Sequence, residues 1–140
     1  MEVLEQVLSE SPNTKSVNLE FLEIEDFDEL IPCLMEFRNL EEILLFGNRL
    51  TCLPRDLSLL SKVKYLDISN NLIKSIDEII EGLESLPSLT HLSITLASVE
   101  DKKMLSQSLR TLEFLNGEEV IHEHIEEETP GEENPALIES

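Results

Sequence analysis

The apolar residues of this 140-residue chain recur at uneven gaps. In VKYLDISNNLIKSI, Val63, Leu66, Ile68 and Ile73 follow one another at steps of three, two and five, with Asn71 set among them. A helix repeats its apolar face at steps of three and four, and a half-buried strand alternates, so neither period accounts for the spacing. The frame L-x-x-L-x-L-x-x-N-x-L does. NLEEILLFGNRLTCL fills it with Leu40, Ile43, Leu45, Asn48 and Leu50. SLTHLSITLASVEDK fills it with Leu89, Leu92, Ile94, Ala97 and Val99, and NTKSVNLEFLEIEDF with Thr14, Val17, Leu19, Leu22 and Ile24. The frames begin at 14, 40, 63 and 89, which gives steps of 26, 23 and 26. Four frames in phase predict four short strands, each followed by a returning segment.

The returning segments change period. FDELIPCLMEF (27–37) and SIDEIIEGLESL (75–86) carry apolar residues at helical spacing. Ile76, Ile79, Ile80, Leu83 and Leu86 share one face, and Asp77, Glu78, Glu81 and Glu84 lie on the others. Both segments are predicted helical. The shorter return, LPRDLSLL, lies between Leu53 and Leu60, and Pro54 there is placed to open a turn of helix. MEVLEQVLSESP has Val3, Leu4, Val7 and Leu8 at helical spacing and reads as a helix ended by Pro12.

The repeated frame resembles the leucine-rich repeat family, whose period is roughly 20–29 residues. The resemblance implies an α/β solenoid with a curved parallel sheet, about four repeats and a cover at each end. Such repeats bury a continuous core that no single unit could bury alone. In the family the asparagine amide bonds turn backbone and forms a ladder along the stack. Only Asn48 and Asn71 fill that slot, and Leu22 and Ala97 predict a ladder interrupted at both outer repeats. SLRTLEFLNGEEV resembles the C-terminal cap of intracellular members, in which a leucine-rich strand runs into a Leu-Asp/Asn-Gly turn and a valine. Leu109, Leu112, Leu115, Asn116, Gly117 and Val120 match it. That cap is shared by acidic nuclear phosphoproteins, a spliceosomal subunit and axonemal dynein light chains. The expected organisation is a capping helix at 1–13, repeats at 14–107, a C-terminal cap at 108–121 and an acidic tail, expected disordered, at 122–140.

Charge narrows the partners. The net charge is −20, from 30 acidic and 10 basic residues. Nine glutamates and no lysine or arginine lie between Glu118 and Ser140, which leaves 21 acidic residues against all 10 basic ones elsewhere. A phosphate backbone would add repulsion where nucleic-acid binding needs cations to displace counterions, so no direct nucleic-acid contact is expected. A protein with a basic and apolar surface is the expected partner, its encounter speeded by charge. The chain is expected to act as a monomer or as a subunit of a hetero-complex. No stretch reaches the roughly 18 apolar residues of a membrane span, and the acidic N-terminus does not read as a secretory signal. The two cysteines, Cys33 and Cys52, sit inside repeats, without the terminal cysteine clusters of extracellular relatives. The expected location is intracellular, cytoplasmic or nuclear.

Candidate chemistry is sparse. His122 and His124 could share one side of a strand and offer zinc two ligands, but no further ligand has matching spacing. The glycines, Gly47, Gly82, Gly117 and Gly131, form no phosphate loop. No serine or cysteine is patterned with a histidine for nucleophilic catalysis. The chain is expected to be non-catalytic and to need no cofactor or metal.

Binding would use strand positions turned away from the core, the third, fifth, seventh and eighth of each frame. They are Ser16, Asn18, Glu20 and Phe21; Glu42, Leu44, Phe46 and Gly47; Tyr65, Asp67, Ser69 and Asn70; and His91, Ser93, Thr95 and Leu96. Leu44 and Phe46 are apolar where water is expected. Phe21, Phe46 and Tyr65 are half of the six aromatic residues. Rimmed by Glu20, Glu42 and Asp67, and joined by His91, they compose a candidate protein-binding hot spot on the concave face. Phe21 and Phe46 lie at the strand ends, where they either project or fold over core. The alternative function is an acidic chaperone or modulator of basic nuclear proteins, acting through the acidic surface and tail.

Overall fold

The computed structural model describes residues 2–122. In chain order it contains helix α1 (Glu2–Glu10), strand β1 (Ser16–Asn18), a 3-10 turn (Phe27–Leu30) running into α2 (Ile31–Leu34), β2 (Glu42–Leu44) and β3 (Tyr65–Asp67). A 3-10 turn (Ile76–Glu78), α3 (Ile80–Ser85), β4 (His91–Ser93), α4 (Val99–Ser108), β5 (Phe114–Leu115) and β6 (Glu118–Glu119) follow. The strands form one sheet in sequence order, parallel from β1 to β5 and closed by an antiparallel β5–β6 hairpin. Partners fall in matching frame positions, with Val17 beside Ile43, Ile43 beside Leu66 and Leu66 beside Leu92. The frame read from sequence is therefore the register of the sheet.

The core follows the same frame. Positions one, four and six are buried in the second, third and fourth frames, as Leu40, Ile43, Leu45; Val63, Leu66, Ile68; and Leu89, Leu92, Ile94. Each such side chain removed from water contributes about 1.5–3 kcal/mol. Leu34, Leu57, Leu83 and Leu105 come down on this layer from the returning segments. At one end of the stack Leu4 of α1 is fully buried, with Val7 and Leu8 packed beside it and Val3 left facing solvent. The helix stops before Pro12, since the residue preceding a proline resists helical backbone.

Both long returns are helical as expected, in a 3-10 turn followed by a short α-helix. The short one is not. Between Leu53 and Leu60 there is no helix, and Pro54 opens none. Side chains take the backbone bonds a helix would need: Asp56 accepts from the N–H and hydroxyl of Ser58, and Ser85 Oγ accepts from Leu57 N–H. The segment instead lies against α3. A Cβ at Gly82 would meet the Pro54 carbonyl oxygen at 2.2 Å, so the two returns close only around a glycine.

The fourth frame runs out at its end. Val99, assigned to a core slot, is 78% exposed and opens α4, a helix the sequence reading did not anticipate. Ser98 caps it, its hydroxyl accepting from Asp101 N–H, with Glu100 and Asp101 in the first turn facing the positive end of the helix dipole. Leu112 and Leu115 then restart the frame, which adds β5 as a fifth parallel strand. Asn116 and Gly117, both at positive φ, make the two-residue turn into β6.

The asparagine ladder is broken at one end only. Asn48, 4% exposed, accepts from Leu22 and Ile24 N–H and donates to the Leu19 and Leu45 carbonyls. Asn71 accepts from Leu50 N–H and donates to Leu45, Ile68 and Ser69. Each amide thus serves the turn before its own. Leu22 has no earlier frame to serve, so it interrupts nothing. Ala97 does: Ile73 N–H, the counterpart of Ile24 and Leu50, finds no protein acceptor among the described residues. A depression lined by Asn71, Ile73 and Ala97 opens there. The tail expected at 122–140 lies, His122 apart, outside the described residues, as do His124, Leu137 and Ile138.

A candidate interaction face on the sheet

The short strands place their third and fifth frame positions on the side of the sheet opposite the core, because successive strand residues point to opposite faces. Registry then lines equivalent residues into rows across the strands. The third-position row runs Ser16, Glu42, Tyr65, His91, Phe114 and, across the hairpin, Glu119. The fifth-position row runs Asn18, Leu44, Asp67 and Ser93.

Within the first row, three rings stack. Tyr65 and His91 lie 5.8 Å apart between centroids with planes 19° apart, and His91 and Phe114 lie 4.8 Å apart at 20°. The spacing follows from neighbouring strands lying about 4.8 Å apart. His91 is held from below, its Nδ1 2.8 Å from the Thr90 hydroxyl. The Tyr65 hydroxyl is 3.4 Å from Ser93 Oγ. All three rings are half-buried, so each keeps a solvent-facing edge. They border two shallow depressions, one shared with Ser16 and Glu42, the other with Ser93 and Gly117. Carboxylates flank the ring stack on both sides, Glu42 beside Tyr65 and Glu119 beside Phe114. Glu42 also accepts a hydrogen bond from Ser16 Oγ.

The residues expected to form one cluster divide into two. Phe21 and Phe46 meet edge to face, centroids 5.4 Å apart, at the far ends of their strands. Phe21 is 67% exposed at φ 57°, and its ring covers Gly47, where an added Cβ would meet it at 2.5 Å. The phenylalanines therefore cover the turn, while Tyr65 pairs with His91 away from them. Leu44 is half-buried between the two groups, with Asp67 beside it in the same row; Asp67 accepts from Ser69 N–H. Glu20 is half-buried next to the Phe46 strand end. Phe114 and Glu119 lie in 108–121, where the cap pattern of the sequence defines no surface positions. Continuing the frame at a step of 23, from Leu89 to Leu112, would have put Phe114 in the third position.

Other chemistry does not assemble. Among the described residues no group of histidine, cysteine and acidic side chains could hold a metal ion. His122 Nε2 lies 2.7 Å from the Leu112 carbonyl, so that ring is engaged with backbone. Cys33 and Cys52 are free thiols, and burial, reinforced by the carboxylates of Glu36 and Glu5, pushes the Cys33 thiol up. The hydrogen bond and charge of Lys102, 2.8 Å away, hold the Glu118 carboxyl below its usual range. No helix among the described residues is long and apolar enough to cross a membrane.

No curated protein matches the chain in sequence. Residues 38–95, which span β2 through β4, match the family model described as leucine rich repeat.

Proposed function

We propose that the protein is a non-catalytic binding module, alone or within a larger assembly, that grips another protein on the open face of the sheet. Leucine-rich repeats generally mediate contact between proteins. The observation that carries the reading is the Tyr65–His91–Phe114 stack, three rings held with their edges to solvent on a face that needs none of them for its core. Rings already fixed by stacking lose little freedom on binding, which is what makes aromatic groups effective anchors. Glu42 and Glu119 on either side of the ring stack favour a partner that is apolar at its centre and basic at its margins. Leu44 and Asp67 extend the footprint. Residues 14–107 act as the repeats in this reading, with 1–13 and 108–121 as end covers.

The test is affinity capture from native lysate with four baits: the full chain, His91→Ala with Phe114→Ala, Leu44→Glu with Tyr65→Ala, and a chain ending at Ile121. Circular dichroism first establishes that each is folded. The expected result is a partner held by the full chain and by the shortened one, and weakened at least about thirtyfold by either pair of substitutions. A partner kept by both substituted chains and lost on shortening refutes the reading and moves function to the acidic segment.

A further inference from the structure

A second surface lies where the strands begin, and its charge runs against that of the molecule. Lys15 and Lys64 occupy second frame positions and also line the depression beside Tyr65 and His91, Arg38 and Lys62 lie just ahead of β2 and β3, and Arg110 lies just ahead of β5. All five are exposed, and none has an acidic side chain within ion-pair distance among the described residues. Of the five cations elsewhere, three are ion-paired, and Lys74 and Lys103 are not among the described residues. Arg49 faces Glu23 and Glu25, Arg55 faces Glu81, and Lys102 binds Glu118. In a chain with 30 acidic residues and 10 basic ones, five unpaired cations along one edge are a segregation of charge. Glu36, between Met35 and Arg38 in sequence, and Glu41 and Glu113 share that edge and only partly offset it.

Between Arg38 and Lys62 the edge is also apolar. The end of α2 and the end of the short return leave a groove floored by Leu34 and Leu60 and rimmed by Met35 and Leu59. Met35 is 46% exposed and Leu59 71%. Neither is used by the core, and neither belongs to the aromatic face. The groove has room for an aliphatic side chain and has a cation on either side.

We propose that this groove is a second docking site, for an acidic segment of a partner protein whose aliphatic side chain enters between Met35 and Leu59 while flanking carboxylates meet Arg38 and Lys62. Charge selects the occupant. A basic segment is attracted to the rest of this surface and repelled here, and an acidic segment meets the reverse. The two sites therefore sort partners of opposite charge, and a chain with both could hold an acidic and a basic protein together.

The experiment is a nitrogen-15 NMR titration of the full chain. The probe is an acetylated, amidated hexapeptide of two glutamates, leucine, isoleucine and two further glutamates, added into the millimolar range. Amide signals of Met35, Arg38, Leu59 and Lys62 are expected to move saturably, and signals of Tyr65, His91 and Phe114 to stay. Arg38→Glu with Lys62→Glu is expected to weaken binding at least tenfold, roughly the loss from reversing two close charges. Lys74→Glu with Lys103→Glu changes net charge equally, away from the edge, and is expected to leave binding within about twofold. No response, or equal loss from both pairs, overturns the proposal. It is also overturned if, with no peptide present, Leu137→Ser with Ile138→Ser shifts the Met35 and Leu59 signals, because this chain's own segment then occupies the groove.

Discussion

The two ends of the strands are built differently. At the beginning of each strand one carbonyl accepts from two successive N–H groups of the next: Lys15 from Glu41 and Glu42, Glu41 from Lys64 and Tyr65, Lys64 from Thr90 and His91, Thr90 from Glu113 and Phe114. All eight distances fall between 2.8 and 3.0 Å, from the first strand to the fifth. At the other end the pattern holds and then fails. Leu19, Leu45 and Ile68 N–H donate to the Leu44, Asp67 and Ser93 carbonyls, but Ile94 N–H takes the side-chain oxygen of Asn116. Phe21 and Gly47 donate to the Phe46 and Ser69 carbonyls, but Asn70 donates to the Thr95 hydroxyl. The beginnings are joined by an unbroken run of backbone bonds, which every residue but proline supplies, with the Ser88, Thr90 and Thr111 hydroxyls adding to it. The ends depend on asparagine amides, and where the sequence stops supplying them the order degrades. One edge is free to carry charge for binding; the other is bound to its sequence by folding.

The comparison is broken most severely at Asn48. Asn48→Ala leaves the Leu22 and Ile24 N–H groups and the Leu19 carbonyl without their side-chain partner around a position only 4% exposed, while the Leu45 carbonyl keeps Asn71. Each orphaned group costs about 1–3 kcal/mol, and partial relaxation brings the sum to about 3–5 kcal/mol. Urea denaturation should show the midpoint falling with little change in slope. A loss below about 1 kcal/mol would mean that the ladder is decorative and that backbone holds both ends of the strands.

Asn71→Ala should cost less, about 2 kcal/mol, because its amide is half-buried and water can replace part of what it does. The two amides also share an acceptor, the Leu45 carbonyl. A double-mutant cycle should therefore give a coupling of at least about 0.5 kcal/mol. Strict additivity would show that each turn is held separately.

Much of this was legible in the sequence because the buried positions of the frame are the register of the sheet. Leu40, Ile43 and Leu45 could be assigned to the core from spacing alone, since a one-residue slip would turn all of them to solvent. The returns were legible where apolar periodicity ran for three turns and illegible between Leu53 and Leu60, where Asp56, Ser58 and Ser85 bond the backbone and eight residues carry too little pattern to show it. Val99 misled because a valine fills a frame slot as well as it opens a helix. Ser98 followed three residues later by Asp101 was the local signal that α4 begins there. The candidate face was half visible. Leu44, Tyr65 and His91 follow from alternation, but the sorting of rings into Phe21 with Phe46 and Tyr65 with His91 and Phe114 depends on how far along each strand a ring sits, a distance that a list of surface positions does not carry.

The smallest effect tests the comparison in reverse, by repairing the weaker end. Ala97 stands where an asparagine would serve the third turn, and Ile73 N–H is the group it would satisfy. The Ile68 carbonyl already accepts from Asn71, as the Leu45 carbonyl accepts from Asn48, and Leu45 takes a second amide without difficulty. Ala97→Asn should therefore extend the ladder by one rung into the depression beside Ile73, raising stability by about 1 kcal/mol, the net worth of a hydrogen bond made to a group that otherwise lacks one. Amide exchange at Ile73 should slow by more than at Ile24, whose bond to Asn48 is unchanged. The gain depends on the backbone at 97 following the path it takes at 48 and 71, and Ser98, which must stay extended to cap α4, is the constraint that could divert it. If Ala97→Asn leaves both stability and Ile73 exchange unchanged, the cap has won: the fourth turn has been given to starting a helix, and no side chain at 97 can return it to the ladder.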